Sequence, residues 1–330
     1  MSYAVSFIAH IQAIKECVQR LGGRANCDLD TGALQVRAGG KYVDLSPQYA
    51  LRHDGSIGYS AVLVNQVEFF AGWRPYRDRA WPIGQDKRRF KEFCSLHGLL
   101  TPRVWARPRE VTGNALIKHA TGSFSKGMAG PFTPPVLKAS SRELHQEEFL
   151  EEFVQGDIVK AWYWNADPVA LEVLPMPTVV GDGKTSLHDL IERKRVAHLP
   201  GTDWEVWGAT VALQGLGLDS IVAAASRVMV DYRYLSPLHP ALPDAPNLNC
   251  MAAREGTVLL RHLRDAGPLF WTGIPAESRQ DTLYTIDAVT DTSGQPVFLE
   301  MNCNPVVHPD AYPPMLDSLF GTPEAPACTH

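Results

Sequence analysis

The sequence lacks the features that mark several common protein classes. Its six cysteines form no Cys-x-x-Cys pair, so neither a zinc site nor a disulfide framework is predicted. No apolar run reaches about eighteen residues, the length that a membrane-spanning helix requires. Residues 1–8 contain no basic region ahead of an apolar stretch, so we expect no secretion signal and a cytoplasmic location.

The chain also lacks an excess of positive charge. It contains 31 Lys and Arg against 36 Asp and Glu, which gives a net charge of −5. A nucleic-acid-binding surface requires a basic face, so nucleic acid is not an expected partner. With 45% hydrophobic and 20% charged residues over 330 positions, the chain is typical of a globular protein with roughly two or three packed subdomains.

Two familiar nucleotide-binding motifs are missing as well, because neither Gly-x-x-x-x-Gly-Lys-Ser/Thr nor Gly-x-Gly-x-x-Gly occurs. Residues 114–130 instead predict a short apolar strand that ends at Lys118, followed by a loop rich in Gly, Ser and Thr. Glycines let backbone N–H groups approach an anion closely, and hydroxyl groups add donors. On these residues alone, a phosphate-binding loop and an ordinary surface loop both remain open.

The most informative segment is a predicted hairpin late in the chain. Residues 283–289 and 297–305 are strand-like, and residues 291–294 (Asp-Thr-Ser-Gly) are typical of the turn between antiparallel strands. If the turn is centred between residues 293 and 294, Asp287 lies directly opposite Glu300. Strand alternation then places Glu300 and Asn302 on one face. The opposite, buried face would carry Val297, Leu299 and Met301.

Two carboxylates and an amide oxygen on one strand face suit Mg²⁺, a hard cation that binds oxygen ligands. The predicted ligands are Asp287, Glu300 and Asn302. A solvated polar strand face is the alternative interpretation of the same pattern.

Other elements are predicted from periodicity and end signals. A helix over residues 8–21 would bury Ile11, Ile14 and Val18, and a hairpin would follow over residues 33–45. Strands and helices mix without strict alternation, so an α+β fold is expected.

End signals predict three further helices. Asp86 begins one that Gly98 ends, Ser186 caps a second with Asp189 in capping-box position, and a third spans residues 254–266 until Gly267 stops it. Residues 73–82 are aromatic and basic, and are typical of a packed crossover, with substrate contact as the alternative.

In this order, five motifs resemble an ATP-grasp ligase, in particular the ATP-grasp part of cyanophycin synthetases and of bifunctional glutathione synthetases. They are Asp86-Lys87; Lys118 with its Gly/Ser loop; Glu151-Glu-Phe-Val-Gln-Gly-Asp157; Val180-Gly-Asp-Gly183; and Asp287 with Glu300-Met-Asn302. The resemblance covers roughly residues 84–320, and the N-terminal part carries no motif of that family.

The resemblance implies an α+β ATP-grasp fold in which two lobes sandwich ATP. The expected segments are an N-terminal α/β region over 1–83, an N-lobe with the phosphate loop over 84–155, and a C-lobe with the metal site over 156–330. The implied cofactors are ATP and Mg²⁺, with Mn²⁺ as a substitute. The implied ATP-binding residues are Lys87, Lys118, Ser123, Ser125, Lys126, Gly127, Glu151, Glu152, Val154, Asp157 and Lys160.

The activity implied is ADP-forming ligation of a carboxylate to an amine through an acyl-phosphate. The substrates would be small molecules such as amino acids or short peptides, and the chain could act as a homodimer without a membrane partner. A small-molecule kinase and a non-catalytic nucleotide-binding module are the alternatives.

The sequence departs from the family at Leu174, where relatives carry an Arg that binds the γ-phosphate or acyl-phosphate. Arg233 is the first candidate to supply the missing charge, ahead of Lys160 and Lys184, although pairing of Arg233 with Asp231 is equally compatible. The resemblance also places Asn304 on the substrate side.

Overall fold

The computed structural model describes residues 7–53, 56–122, 127–140, 143–195, 203–239 and 249–321. The helices are α1 Phe7–Arg20, α2 Pro82–Gln85, α3 Lys87–Leu96, α4 Pro134–Ala139, α5 Leu187–Lys194, α6 Trp204–Ala212, α7 Val258–Thr272, α8 Ala276–Arg279 and α9 Tyr312–Phe320. The strands are β1 Arg24–Cys27, β2 Leu34–Ala38, β3 Lys41–His53, β4 Ser56–Ser60, β5 Val67–Arg74, β6 Val104–Trp105, β7 Ala115–His119, β8 Ala129–Phe132, β9 Glu148–Glu152, β10 Ile158–Trp164, β11 Asp167–Leu174, β12 Thr178–Val180, β13 Arg227–Met229, β14 Leu283–Thr290 and β15 Pro296–Asn302.

These elements form antiparallel sheets flanked by helices, which confirms the predicted α+β class. The N-terminal sheet has the order β1-β2-β3-β4, with β5 also paired to β3. A small sheet has the order β6-β9-β7-β8, and a central sheet has the order β11-β10-β14-β15. Strands β12 and β13 form a separate pair. No helix within the described ranges is both long and apolar enough to cross a membrane.

Hydrophobic cores hold the sheets to their helices. The N-terminal sheet packs with α1 and with the distant α9 around Leu45, Trp73 and Tyr312. The central sheet packs against α3 and α7 around Phe90 and Phe270. A third core joins β12 and β13 to α5 and α6. Helix α3 comes from the predicted 84–155 segment yet packs on a sheet of the 156–330 segment, and the division into three segments stays a prediction.

The predicted end signals operate at two helices. Asp86 accepts hydrogen bonds from the backbone N–H groups of Arg88 and Arg89 at the start of α3. Ser186 accepts from the N–H of Asp189 at the start of α5. Both caps satisfy donors that the first helical turn leaves without a partner.

Two helix predictions were wrong in part. Ile11 is 43% exposed, and the buried stripe of α1 instead comprises His10, Ile14, Cys17 and Val18. Helix α7 runs through Gly267 and ends at Thr272. A Cβ atom at Gly267 would lie 2.0 Å from the carbonyl oxygen of Ala166, so the glycine permits close packing rather than ending the helix.

The aromatic and basic linker is packed, as the first of its two interpretations predicts. Trp73, Arg74 and Trp81 are each no more than 1% exposed. Arg74 donates to Asn304 over 2.6 Å and to Asp78 over 3.1 Å. The linker therefore joins the N-terminal sheet to the end of the β14–β15 hairpin.

Buried His10 predicts a loss of stability in acid. Burial, with a further contribution from His308, lowers the pKa of His10 to about 3 from an ordinary value of 6.5. The unfolded chain gains a proton below pH 6.5 that the folded chain takes up only near pH 3, so stability falls across that window. Between pH 7 and pH 5 we expect His10 to account for a loss of about 2 kcal/mol. Urea denaturation of His10→Gln should lack this loss, whereas exposed His188→Gln should keep it. Equal pH dependence in wild type and His10→Gln would contradict the assignment.

Candidate nucleotide and metal site

The predicted opposition of Asp287 and Glu300 is confirmed, although the hairpin reaches it by an unpredicted route. Val289 pairs with Val297 and Ala288 with Phe298, which centres the turn on Ser293. A β-bulge at Leu299 then shifts the register by one residue, so that Asp287 pairs with Glu300. Without the bulge, Asp287 would face Leu299.

The bulge also changes which side chains are buried. Phe298 and Met301 both belong to the core of the central sheet, although strict alternation would put them on opposite faces. Leu299 lines the same cavity as Glu300. The prediction that Val297 and Leu299 share a buried face with Met301 was therefore wrong.

Cross-strand pairing arranges the face of the central sheet that carries Asp287 and Glu300 into three rows. Each row takes one residue from each of β11, β10, β14 and β15 in that order. The apolar row is Leu174, Ile158, Val289 and Val297; the charged row is Glu172, Lys160, Asp287 and Glu300; and the Trp162 row is Ala170, Trp162, Thr285 and Asn302.

Lysine side chains pair with Asp287 and Glu300 in the charged row. Lys160 Nζ lies 2.6 Å from Asp287 Oδ1, and Lys87 Nζ lies 2.8 Å from Glu300 Oε2. Asn302 Nδ2 donates to the second oxygen of Asp287 over 3.2 Å. Lys87 also donates to the carbonyl oxygen of Gly122, at the start of the predicted phosphate loop.

The two carboxylates differ in acidity because their surroundings differ. Burial raises the pKa of Asp287 to about 6, with the nearby Glu300 adding to the rise and Lys160 opposing it. Burial acts in the same direction on Glu300, but the ammonium group of Lys87 outweighs it and lowers the pKa of Glu300 to about 2. Glu300 is therefore the carboxylate that is ionised under all ordinary conditions.

The donor set at the hairpin fits a divalent cation that prefers oxygen. The described ranges contain no group of three or more His, Cys, Asp and Glu side chains placed to hold a metal. A metal ion here would therefore rest on two carboxylates and the amide of Asn302. Few protein ligands are typical of Mg²⁺, which keeps several waters and binds substrate phosphates.

A buried ion-pair cluster lies beside the β15 end of the charged row, and two of its members line the same cavity. Glu151 is 1% exposed, and its two carboxylate oxygens lie 2.5 Å from Lys118 Nζ and 2.5 Å from Lys91 Nζ. Burial alone would raise the pKa of Glu151, but the two ammonium groups lower it, so Glu151 is ionised. The cluster fixes Lys118 at the cavity wall.

Lys91 is a site residue that the sequence analysis missed. It lies on α3, is 4% exposed, and donates from Nζ to the carbonyl oxygen of Leu299 over 3.0 Å. Its ammonium group thus contacts both Glu151 on the small sheet and the bulge beside Glu300. A lysine in a helix usually has an exposed side chain. The sequence signal for burial of Lys91 is its position next to Phe90 and three residues before Cys94, which are both buried.

Most of the predicted nucleotide-binding residues that the structure describes line one cavity between the small and central sheets. One wall of the cavity, which we call the apolar wall, includes Leu116, Met128 and Tyr232. The predicted site residues that line it are Lys87, Lys118, Glu151, Glu152, Val154, Arg233, Asp287 and Glu300. Ser123, Ser125 and Lys126 lie outside the described residues.

Asp157 and Gly127 lie near this cavity without lining it. Asp157 directly precedes Ile158, which lines the cavity, and its backbone N–H donates to Thr290 Oγ1 over 3.0 Å. Gly127 lies beside His119 with φ of +71°. Their assignment to ribose and phosphate stays a prediction.

Arg233 pairs with Asp231, as the alternative to a phosphate-binding role described. Its guanidinium group donates from Nε and Nη2 to Asp231 over 2.9 and 2.8 Å, and from Nη1 to Asp203 over 2.6 Å. All three nitrogens are therefore engaged, and a role in phosphate binding would require these bonds to break.

Asn304 does not line the cavity. Its amide oxygen accepts from Arg74 and from the N–H of Arg79, and its amide nitrogen donates to the carbonyl oxygen of Arg79. These bonds position the linker rather than a substrate, which differs from the expected role. Lys184, the remaining candidate cation, is exposed. Lys184, Lys160 and Asn302 are all absent from the residues that line the cavity.

Neither a protein-family model nor a curated protein matches the sequence. Among solved structures, the chain is similar to a bifunctional glutathione synthetase from Pasteurella multocida, with a TM-score of 0.46 and 13% identity over 96% of this chain and 43% of that chain. It is also similar to a D-alanine–D-alanine ligase from Bacillus anthracis, with a TM-score of 0.36 and 12% identity over 72% of this chain and 62% of that one. An L-amino acid ligase from Bacillus licheniformis gives a TM-score of 0.31 and 9% identity over 68% of this chain and 43% of that one. The chain spans less than two thirds of each of these proteins.

Proposed function

We propose that the chain is an ATP-grasp ligase that joins a carboxylate to an amine and releases ADP and phosphate. The observation that carries the proposal is the pairing of Asp287 with Glu300 at a cavity that Lys87 and Lys118 also line. Two acids for metal ions and two lysines for phosphates, beside an apolar wall, match the charge pattern of a nucleoside triphosphate with its cation.

The purine would lie between the apolar row and the apolar wall. Ile158 and Val289 supply the surface on the central sheet, and Met128 and Phe153 supply the facing surface. Because both oxygens of Glu151 are held by lysines, the backbone at Glu152 and Val154 is the better source of hydrogen bonds to the base. Lys118 and Lys87 would contact the phosphates, where a compact ammonium group acts as a point charge.

Asp287, Glu300 and Asn302 would hold Mg²⁺, which supplies positive charge to the phosphate oxygens when it is bound. Lys87 and Lys160 now pair with these carboxylates, and each can turn to a phosphate oxygen instead. The geometry favours Lys160, rather than Arg233 or Lys184, as the replacement for the Arg missing at Leu174. Lys160 neighbours Asp287 in the charged row, whereas Arg233 is engaged elsewhere.

The proposed reaction forms an acyl-phosphate that an amine then attacks, and the substrates would be amino acids or short peptide-like molecules. An acyl-phosphate is lost if water reaches it, so closure of the cavity is part of the chemistry. The residues described here bind the nucleotide, offset charge and exclude water, and no nucleophilic side chain is required.

A panel assay tests the proposed activity directly. The protein, with ATP and Mg²⁺, should release ADP and phosphate when offered amino acids singly and in pairs. Mass analysis should find a product equal to the two reactants less one water. Release of AMP, or of neither nucleotide across the panel, would contradict the ligase. A stable phosphate ester would identify the kinase alternative instead.

A further inference from the structure

Glu172 stands at the β11 end of the charged row, and the proposed nucleotide site gives it no role. It is 7% exposed and pairs across the strands with Lys160, which separates it from Asp287. Tyr234 donates its hydroxyl to Glu172 Oε2 over 2.6 Å, and Tyr234 lines the cavity. A buried carboxylate therefore lies just behind the cavity wall.

The other neighbour of Glu172 carries no charge at neutral pH. His308 Nε2 lies 3.7 Å from Glu172 Oε1, and burial lowers the pKa of His308 to about 4. His308 Nδ1 accepts a hydrogen bond from the N–H of Asp310, so the neutral ring carries its proton on Nε2. His308 thus offers Glu172 a neutral donor and adds no positive charge beside it, while burial raises the pKa of Glu172.

Lys160 is the cation that faces this carboxylate from β10. Its ammonium group lies 5.0 Å from the centre of the Tyr234 ring and 5.9 Å from that of Trp162. Two aromatic rings, with the carboxylates of Glu172 and Asp287 on either side of Lys160, form the kind of surroundings that bind an ammonium ion. Lys160 is bonded to Asp287, however, and has no hydrogen bond to Glu172 among the described contacts.

An unused polar atom lies beside this group. Thr285 is fully buried, and its Oγ1 has no hydrogen-bond partner within the described part of the chain. Thr285 pairs with Trp162 and with Asn302, so it belongs to the row next to the charged row, on the same face of the sheet. A buried hydroxyl without a partner is costly, and a ligand that supplies one removes that cost.

We propose that Glu172, Tyr234 and Trp162 bind the ammonium group of the acceptor substrate, and that Lys160 occupies this subsite while no substrate is bound. The inference rests on the proposed ligase function and names its second substrate as a primary amine that arrives protonated. Thr285 Oγ1 would accept or donate to a polar group next to that amine.

Charge balance explains why a cation belongs there. If Lys160 turns toward a phosphate, the buried Glu172 loses its only described positive neighbour, and a buried carboxylate without a cation is unfavourable. An incoming ammonium group restores the balance. Binding of amine and of nucleotide would therefore support one another.

Binding of a simple amine tests the subsite without requiring turnover. Methylammonium chloride is titrated against the intact protein with and without ADP and Mg²⁺, and tryptophan fluorescence is followed, with sodium chloride at equal ionic strength as reference. Glu172→Gln should weaken methylammonium binding by about tenfold, which corresponds to one charge-assisted hydrogen bond. The exposed Glu277→Gln serves as the matched control and should leave binding unchanged.

A second variant should change the affinity for methylammonium in the opposite direction. Lys160→Met should strengthen methylammonium binding in the absence of nucleotide, because it removes the internal competitor. Equal binding by wild type and Glu172→Gln, or weaker binding by Lys160→Met, would overturn the subsite. Failure of the protein to bind ADP with Mg²⁺ would instead contradict the proposed function, so the two failures are distinct.

Discussion

Glu300→Gln is expected to abolish metal-dependent nucleotide binding while leaving the fold intact. The substitution keeps the shape of the side chain but removes one of two carboxylates that would hold the cation. Loss of residues that merely support a metal ligand costs about 10–100-fold in affinity, so loss of a ligand should cost at least about 100-fold. Calorimetric titration of ADP in the presence of Mg²⁺ measures this effect, and turnover should fall with it.

The fold should tolerate this change because Glu300 is 24% exposed and its partner Lys87 is 17% exposed. Lys87 can therefore reach water once Glu300 is neutral. We expect the melting temperature of Glu300→Gln to stay within about 3 °C of wild type, a shift that corresponds to roughly 1 kcal/mol. Glu277→Gln is the matched control for the loss of one carboxylate. Wild-type affinity for ADP with Mg²⁺ in Glu300→Gln would show that the metal site is misplaced.

Lys91→Met is expected to have the largest effect on stability. It leaves the buried carboxylate of Glu151 with Lys118 as its single cation and removes the bond to the carbonyl oxygen of Leu299. Breaking a buried ion pair by removing one partner costs about 3–5 kcal/mol. Nucleotide affinity should fall as well, because Glu151 positions Lys118 and the bulge positions Glu300.

The exposed pair of Arg264 and Glu255 provides the comparison for Lys91. Their side chains are 45% and 61% exposed, so Arg264→Met should cost no more than about 1 kcal/mol. Urea denaturation of both variants separates a buried pair from a surface pair. If Lys91→Met is no less stable than Arg264→Met, Lys91 is not the link between the two sheets that its contacts indicate.

Local chemistry explains how much of the proposed metal site the sequence could predict. Turn residues 291–294 and strand alternation predicted that Asp287 lies opposite Glu300, but on their own they place the turn centre slightly wrongly. The turn lies half a residue from its predicted centre, and the bulge at Leu299 compensates for the difference. That bulge could not be predicted, because Lys91, which holds it, lies on a helix 208 residues away in the sequence.

The remaining differences share this origin in tertiary contacts. Asp203, which caps helix α6 thirty residues earlier, accepts a hydrogen bond from the third guanidinium nitrogen of Arg233. No local pattern indicates that pairing. Gly267 is a helix-stop signal in sequence, yet close packing against Ala166 overrides it. Glu172 lies two residues before Leu174 in the sequence, but the role proposed for it depends on residues from β10, Tyr234 and His308. Sequence patterns predicted elements and faces, whereas these assignments required partners from distant segments.

The position of a bound cation tests the central claim most directly. Crystals of the protein grown with ADP and Mn²⁺ allow the metal to be located from its anomalous scattering. We predict a peak within about 2.5 Å of carboxylate oxygens of both Asp287 and Glu300, with Lys87 and Lys160 turned toward phosphate oxygens. A peak that contacts neither carboxylate, with both lysines still paired to them, would contradict the account.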